Sequence, residues 1–540
     1  MSPSPSSSEK RGRGRERGRG RLLPLAALLL GCAPRTPAPT TTVTLAPPGT
    51  PAQLPPAGTA APATSSEGLR VLVAPRPGTP FLTLALRWDT GSADDPPGKE
   101  GLAQLTARLW AGGGTRRLSP AQLERALYPL AARFEVTVGE ETTTLLVRAA
   151  AKDLPRLLPI VRELLAQPRD DAAELERQRA QALSFVEREL RGERDEDLGK
   201  AALDALVFAG HPYAHPPAGT ARGLRAIKLD DVRGFRTRLF GQRRLTLALA
   251  GATTDAVATE LRAIASALPP GEARDTETPE VPAGGPRAVI VQKETASVAI
   301  SMGFPLAVTR ADADWLALRV AMAAFGEHRQ SGGRLYQRLR AARGLNYGDY
   351  AYVERFHEDG GRTIQQPGHP RRRPLFSIWL RPVEPPNAVF ATRAAVFELA
   401  RLVREGLSEE ELERTKRFLA GYSLLWDETD RLRLGWALDD AFYGAPHALA
   451  RLRRDLGTLT LAQVNAALRK HLDPARLRFA FVARDARALE RALGSGAPSP
   501  IRYASPRPPK LLEEDKRVEV QPLRLGASDV RVLDGRKMFE

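Results

Sequence analysis

The spacing of apolar residues predicts a chain of alternating strands and helices that begins near Leu69. Short or alternating apolar runs indicate strands, whereas Leu102, Leu105 and Leu109 lie at the spacing of one helix face. Asp171 is a good N-cap and opens a long amphipathic segment. The first half is therefore predicted to contain strands over 71–73, 81–88, 134–138, 143–147 and 245–250, and helices over 101–110, 154–165, from 171 onward and over 230–239.

A segment rich in proline, glycine and acidic residues, 269–286, reads as a linker to a second half with the same order of elements. The repeat extends to sequence detail, because Glu-Leu-Glu-Arg opens a helix at both 174–177 and 411–414. Two α+β domains are predicted, 68–268 and 287–502, followed by a C-terminal tail over 503–540. The second domain is predicted to have strands over 289–292, 298–302 and 376–380, and helices over 315–325, 333–342 and 389–403.

The first 31 residues resemble a bacterial lipoprotein signal peptide. An Arg/Gly run at 10–21 precedes the apolar run 22–30, which is too short to span a bilayer. Gly31 and Cys32 follow directly, and Cys32 is the only cysteine of the chain. Residues 1–31 are therefore predicted to be a signal peptide and Cys32 to be lipidated. A plain signal peptide with a cysteine there by chance is the alternative.

The residues after Cys32 indicate where the protein is anchored. Residues 32–67 are rich in proline, threonine and alanine, which predicts a disordered tether. Residue 34 is proline rather than aspartate, which by resemblance to bacterial lipoproteins favours the outer membrane. The expected location is the cell envelope, with the chain lipid-anchored and facing the periplasm.

The formal net charge of +17 raises the question of nucleic-acid binding. Part of this charge lies in the predicted signal peptide, and the remainder is scattered arginine. Arginines within predicted helices, such as Arg393, Arg401 and Arg404, are typical of solvated helix faces. No basic cluster with interleaved aromatic residues and no nucleic-acid motif is present in the sequence, so no nucleic-acid partner is expected.

Several short motifs follow one another along the chain. They are Gly91-Ser92, Pro97 to Ala103, Gly113-Gly114-Thr115, Gly210 to Tyr213, Arg338 to Tyr347, Gly406-Leu407-Ser408 and Glu411-Leu412. Taken together, they resemble the motifs of the insulinase/pitrilysin family of zinc peptidases. The resemblance covers nearly the whole predicted ordered chain, and the order and spacing of the motifs make it specific. It implies two insulinase-like domains, each a mainly antiparallel sheet packed with helices, which together form half of a clamshell.

The zinc-binding positions that the resemblance implies are degenerate. Active members carry His-x-x-Glu-His on the first helix, where two histidines bind zinc and the glutamate acts as general base. Here the three positions hold Gln104, Ala107 and Arg108, and none can perform its task, since Arg108 even places a fixed positive charge there. The downstream carboxylate ligand is expected within 182–187, where Glu187 is the only candidate.

Histidines elsewhere do not replace this motif. His211 is the first histidine of the chain, so no His-x-x-Glu-His exists in the first half. His211 and His215 have the spacing of metal ligands, but Pro212 and Pro216 prevent a helix, and a structural loop is favoured over a zinc site. The remaining histidines are scattered. The chain is therefore expected to bind no zinc.

A second motif is intact. By the resemblance, an arginine and a tyrosine seven residues later hold the backbone of a bound peptide, and Arg340 and Tyr347 match that spacing around Gly344. A guanidinium and a phenol can both donate to a peptide carbonyl and polarise it. The alternatives are a surface arginine with a packed tyrosine, or a register error that would favour Arg338 or Arg343.

Together these features predict a non-catalytic subunit of a heterodimeric zinc peptidase. The resemblance implies that zinc belongs to an active partner chain with intact His-x-x-Glu-His, while this chain supplies Arg340 and Tyr347 for peptide substrates. The alternative is a stand-alone peptide-binding or scaffold lipoprotein of the cell envelope. An adjacent gene for an intact family member would favour the first hypothesis.

Overall fold

Two six-stranded sheets organise the residues that the computed structural model describes, namely 61–64, 69–274, 278–281, 287–354 and 364–540. The strands are β1 Ala61–Thr64, β2 Arg70–Pro75, β3 Phe81–Trp88, β4 Phe134–Val138, β5 Thr143–Ala150, β6 Leu245–Gly251, β7 Ala288–Gln292, β8 Val298–Pro305, β9 Asn346–Tyr352, β10 Leu375–Val383, β11 Arg478–Ala483 and β12 Val530–Asp534.

Sixteen α-helices accompany these strands in the described residues. They are α1 Leu102–Gly112, α2 Pro120–Leu127, α3 Leu154–Ala166, α4 Ala172–Ser184, α5 Asp195–Val207, α6 Ala221–Ala226, α7 Leu229–Leu239, α8 Asp255–Ala265, α9 Trp315–Gly326, α10 Ala388–Glu405, α11 Glu409–Tyr422, α12 Asp430–Tyr443, α13 Ala448–Asp455, α14 Leu461–His471, α15 Ala486–Gly494 and α16 Pro509–Val518. Two π-helical segments, Phe185–Glu193 and Tyr336–Ala341, lie beside the candidate sites.

Five strands of each sheet have the same order, as expected for a duplicated unit, whereas the edge strands β1 and β12 differ in chain position and direction. The first runs β1-β2-β6-β3-β5-β4 and the second β12-β7-β11-β8-β10-β9. In each, one pair of equivalent strands is parallel, β2 with β6 and β7 with β11, whereas the pairs further along the order are antiparallel. The predicted α+β fold with two related, mainly antiparallel units is confirmed.

Helix caps account for the repeated sequence motifs. The Asp171 carboxylate accepts from the backbone N–H groups of Ala173 at 2.8 Å and Glu174 at 3.1 Å, which starts α4 where it was predicted. The equivalent helix α11 begins with a reciprocal capping box between Ser408 and Glu411. The paired Glu-Leu-Glu-Arg sequences therefore open structurally equivalent helices.

One helix from each half packs on the sheet of the other half. Helix α5 packs on β7, β8 and β11 through Leu198 and Leu203, which belong to one apolar cluster with Val482. Helix α12 packs in the same way on β2, β3 and β6, where Leu434 and Leu438 meet small residues of the first sheet. A helix from the other half of the chain thus covers one face of each sheet.

Buried ion pairs cross the boundary between the halves. Arg87 on β3 and Asp439 on α12 are each 2% exposed and approach to 2.7 Å. The Arg371 guanidinium donates to Glu140 at 2.6 Å, and the backbone N–H of Arg372 donates to the next carboxylate, Glu141, at 2.6 Å. Breaking such a pair leaves an uncompensated buried charge, so these contacts oppose separation of the halves.

The two ends of the chain depart from the sequence expectations. The predicted tail over 503–540 contributes α16 and the strand β12, which pairs in parallel with β7. Residues 61–64, assigned to the predicted tether, form β1 antiparallel to β2. The signal peptide, Cys32 and the tether up to residue 60 lie outside the described residues. Within the described part, no helix combines the length and apolar composition needed to cross a bilayer.

The packing of α12 on the first sheet leads to a prediction about the free energy of unfolding. Leu434 is fully buried between α12 and the first sheet. Leu434→Ala is expected to lower the free energy of unfolding by about 2–5 kcal/mol, because it leaves a cavity in that contact. Leu425→Ala, at a position 42% exposed, is the control and should change it by less than about 0.5 kcal/mol. Equal effects in urea titration would contradict the proposed importance of this contact.

Candidate functional site

Helix α1 carries the three positions where the resemblance implies metal-binding groups. Its start is fixed by Asp95, whose carboxylate accepts from the backbone N–H groups of Gly101 and Ala103, both at 2.7 Å. The apolar face is buried in the first core. Gln104 and Arg108 lie one helical turn apart on the half-buried face, and Ala107 between them is buried.

Arg108 gives α1 a permanent positive charge. Burial lowers the pKa of Arg108, and the carboxylate of Glu189 opposes this effect. Glu189 lies in the π-helical segment after α4 and forms an ion pair with Arg194 at 2.8 Å. Glu187, the predicted downstream ligand, contacts Arg225 instead. Among the carboxylates of this segment, Glu189 is therefore the one that acts on Arg108.

Glu189 was missed in the sequence because the expected window for the downstream carboxylate ended at residue 187. A π-helical turn holds more residues than an α-helical turn, so it moves side chains to new positions around the axis. The segment Phe185–Glu193 is such a region. No residue pattern in the sequence predicts a π-helical segment at this place.

The residues on α1 do not fit zinc. Zinc needs several neutral imidazole, thiolate or carboxylate ligands at one point, whereas Gln104 and Arg108 offer an amide and a fixed cation. Across the described ranges, no group of three or more His, Cys, Asp or Glu side chains converges as a metal site would require. The implied metal site is thus replaced by a guanidinium.

His211 and His215 have structural roles. His211 is buried, its Nε2 lies 3.1 Å from the carbonyl oxygen of Pro279, and its Nδ1 accepts from the backbone N–H of Tyr213. His215 Nδ1 lies 3.2 Å from the carbonyl oxygen of Pro216. Burial lowers the pKa of both imidazoles. These contacts favour the structural reading of the His-Pro-Tyr motif.

The structure brings Arg340 and Tyr347 together. Arg340 lies in the π-helical segment Tyr336–Ala341 and Tyr347 on the edge strand β9, with a turn at Gly344 whose φ of +69° favours glycine. Arg340 Nη1 donates to the carbonyl oxygen of Tyr347 at 2.8 Å, and the guanidinium carbon lies 4.2 Å from the centre of the Tyr347 ring. The Tyr347 side chain is 69% exposed.

The neighbouring arginines are occupied by helix α16. Arg343 is buried and forms ion pairs with Asp515 at 2.8 Å and Glu514 at 2.7 Å. Arg338 contacts Glu398 at 3.2 Å and also Glu514. Both arginines therefore hold the C-terminal segment against the second half. Arg340 is the arginine of this run that faces the exposed tyrosine.

Asp349 is a further group beside this pair that the sequence analysis did not single out. It lies two residues after Tyr347 on β9 and accepts from Asn346 Nδ2 at 3.1 Å. Burial raises the pKa of Asp349 to about 7, and the charge of Arg340 opposes that rise. An alternating polar strand gives no sign of which carboxylate is buried, so the sequence alone could not identify it.

Two protein-family models match the chain. Residues 70–220 match "Insulinase (Peptidase family M16)", and residues 226–419 match "Peptidase M16 inactive domain". The two matches follow one another and cover most of both sheets. The first match contains Gln104, Ala107 and Arg108, and the second contains Arg340 and Tyr347.

Curated relatives cover most of the chain at low identity. The non-peptidase homolog YmxG of Helicobacter pylori is 25% identical over 410 residues, 74% of this chain and 88% of that protein. An uncharacterized zinc protease of Mycobacterium tuberculosis is also 25% identical, over 415 residues, with the same coverage.

Solved structures share the fold. The peptidase M16 inactive domain from Pseudomonas fluorescens has a TM-score of 0.69 at 22% identity and covers 78% of this chain and 97% of that one. A Helicobacter pylori protease has a TM-score of 0.66 at 14% identity, with 79% and 99% covered.

The replaced metal site leads to a prediction about zinc. The purified chain should bind less than about 0.1 equivalents of zinc by elemental analysis, because tight binding needs three or four ligands at one point. The triple variant Gln104→His, Ala107→Glu, Arg108→His should gain little affinity, since Glu189 stays paired with Arg194 and is not free to complete the ligand set. One tight zinc per wild-type chain would overturn this assignment.

Proposed function

Since the chain belongs to the insulinase (M16) peptidase family and lacks the metal ligands of its active members, we propose that it is the non-catalytic subunit of a two-chain zinc peptidase. An active partner would supply the zinc, and this chain would supply Arg340 and Tyr347 to hold the peptide. The observation that carries the proposal is the contact between these two side chains at an exposed sheet edge.

The geometry of the pair suits a peptide backbone. One guanidinium N–H of Arg340 is used to hold the carbonyl of Tyr347, which fixes the side chain and leaves its other donors for a ligand. The aromatic rings of Tyr336 and Tyr347 lie 5.0 and 4.2 Å from the guanidinium carbon. Such stacking orients an arginine without neutralising it. The exposed phenol of Tyr347 adds a second donor.

Two carboxylates of α16 are bound to other arginines. Glu514 and Asp515 are held by Arg338 and Arg343, so they do not compete for Arg340. Asp349, the carboxyl group beside the pair, is buried and accepts from Asn346. A peptide carbonyl placed between Arg340 and Tyr347 would therefore meet the donors of these two side chains. This arrangement supports a role in binding and polarising the scissile carbonyl of a substrate held by the partner's zinc.

A membrane-anchored assembly completes the proposal. Lipidation of Cys32 would place the complex at the cell envelope, with the chain from 33 to 60 as spacer. A fully processed lipoprotein carries several acyl chains, which anchors far more firmly than one. A stand-alone peptide-binding lipoprotein would share this anchor but would need no partner.

Mutation of the pair tests its role. In a complex reconstituted with an active partner, Arg340→Ala or Tyr347→Phe should lower kcat about 10²-fold, the typical cost of removing a donor to developing charge. The double variant should lose less than the product of the single losses, because both groups serve one carbonyl. Melting temperature and assembly should stay unchanged, since neither side chain belongs to the core.

Two exposed positions serve as controls for these variants. Tyr128→Phe changes a tyrosine that is 84% exposed in the first half, and Arg414→Ala changes an arginine on α11. Both should retain full activity. If the complex with Arg340→Ala and Tyr347→Phe together is fully active, the pair has no part in catalysis and the chain is a scaffold.

The anchor is tested separately. Cys32→Ser in the full-length chain should move the protein from the membrane fraction to the soluble periplasmic fraction, because the acyl chains have no other attachment point in this sequence. Fractionation and immunoblotting measure the distribution. A variant that still sediments with membranes would show a different anchor.

A further inference from the structure

Gln104 and Arg108 stand out because their polar groups have no protein partner. Within the described part of the chain, neither side chain makes a hydrogen bond, and Arg108 has no ion pair within 4 Å. More deeply buried arginines are paired. Arg319 on α9, the helix equivalent to α1 in the second half, contacts Glu327 at 2.6 Å, and Arg87 contacts Asp439 at 2.7 Å.

The unpaired state of Arg108 has a structural cause. Glu189 is the carboxylate that acts on it electrostatically, but Arg194 holds Glu189 at 2.8 Å. Ala107, the neighbouring position on α1, has no polar side-chain group that could bond to it. A partly desolvated guanidinium without a partner is unfavourable, so this position gains stability from an incoming acceptor.

We propose that Gln104 and Arg108 form a carboxylate-binding subsite that stands in place of the metal centre and takes a carboxylate group of a bound peptide. The inference rests on the proposed function only in taking the ligand to be a peptide. The planar guanidinium presents parallel N–H donors that match the two oxygens of a carboxylate. Gln104, one turn earlier on the same face, can donate a further N–H from its amide.

Charge balance favours a singly charged ligand at this subsite. Arg108 supplies one fixed positive charge, and Glu189 offsets part of its potential. A carboxylate is neutralised by one such charge, whereas a dianionic phosphate would keep an uncompensated negative charge on leaving water. The carboxylate can come from the C-terminus of the peptide or from an Asp or Glu side chain, and the two sources are separable by experiment.

Peptide binding to the full chain tests the subsite directly. The probes are unstructured decapeptides with a fluorescent label at the N-terminus, in four matched forms that combine a free or amidated C-terminus with one internal Glu or Gln. Fluorescence anisotropy gives the Kd of each for the wild type, for Arg108→Gln and for Arg162→Gln. Arg162 is an exposed arginine on α3, so its substitution removes the same charge at an unrelated place.

The wild type and Arg162→Gln should bind a peptide with the recognised carboxylate about tenfold more tightly than its neutral form, the effect of one charge-assisted contact. Loss of this preference on amidation identifies the C-terminus as the source, and loss on the Glu-to-Gln change identifies the side chain. Arg108→Gln should abolish the preference and leave the affinity for the neutral peptide unchanged. Its melting temperature should not fall, because Arg108 has no protein partner to lose.

Two results would overturn the subsite. One is an Arg108→Gln variant that keeps the full preference for the carboxylate, and the other is a wild-type chain that binds none of the four peptides. Failure of the proposed function is measured differently, by the activity of the reconstituted complex with Arg340 and Tyr347 substituted. A carboxylate preference that depends on Arg108 would survive even if that complex proved insensitive to the Arg340 and Tyr347 substitutions.

Discussion

The reciprocal exchange of helices α5 and α12 is the constraint on which the rest of the structure depends. A sheet in a mixed α+β domain needs its apolar faces covered, and here a face of each sheet is covered by a helix from the other half. Each half has a large core of its own on one face of its sheet, but without the other half the second face would be exposed. The ion pair of Arg87 with Asp439 and the contacts of Glu140 and Glu141 add directional contacts to the same boundary.

The sequence predicted the elements better than their partners. Apolar periodicity and caps such as Asp171 located most strands and seven of the sixteen α-helices of the described residues, and the internal repeat implied two related sheets. Helices α5 and α12 were not predicted, and their destination could not have been, because the apolar face of a helix looks the same whichever sheet it covers. Strands β1, β9 and β12 were missed because edge strands carry little pattern.

The candidate site shows the same division between local and long-range information. Spacing alone placed Gln104, Ala107 and Arg108 on one turn of a helix. It left Arg338, Arg340 and Arg343 as competing candidates, because what distinguishes them is contact with α16, far along the chain. Glu189 was missed in the sequence for a local reason, because a π-helical turn changes which side chains of the segment 185–193 face α1.

The fold of the first half does not require a metal. Helix α1 is held by its buried leucines and by the Asp95 carboxylate at its start, whereas Gln104 and Arg108 lie on a half-buried face. Their side chains can therefore change without loss of the core. Arg340 and Tyr347 likewise lie outside the second core, which is built from β7 to β12 and the helices around them. The residues proposed to contact a peptide are thus different from those that form the two cores, so their substitution need not disturb the fold.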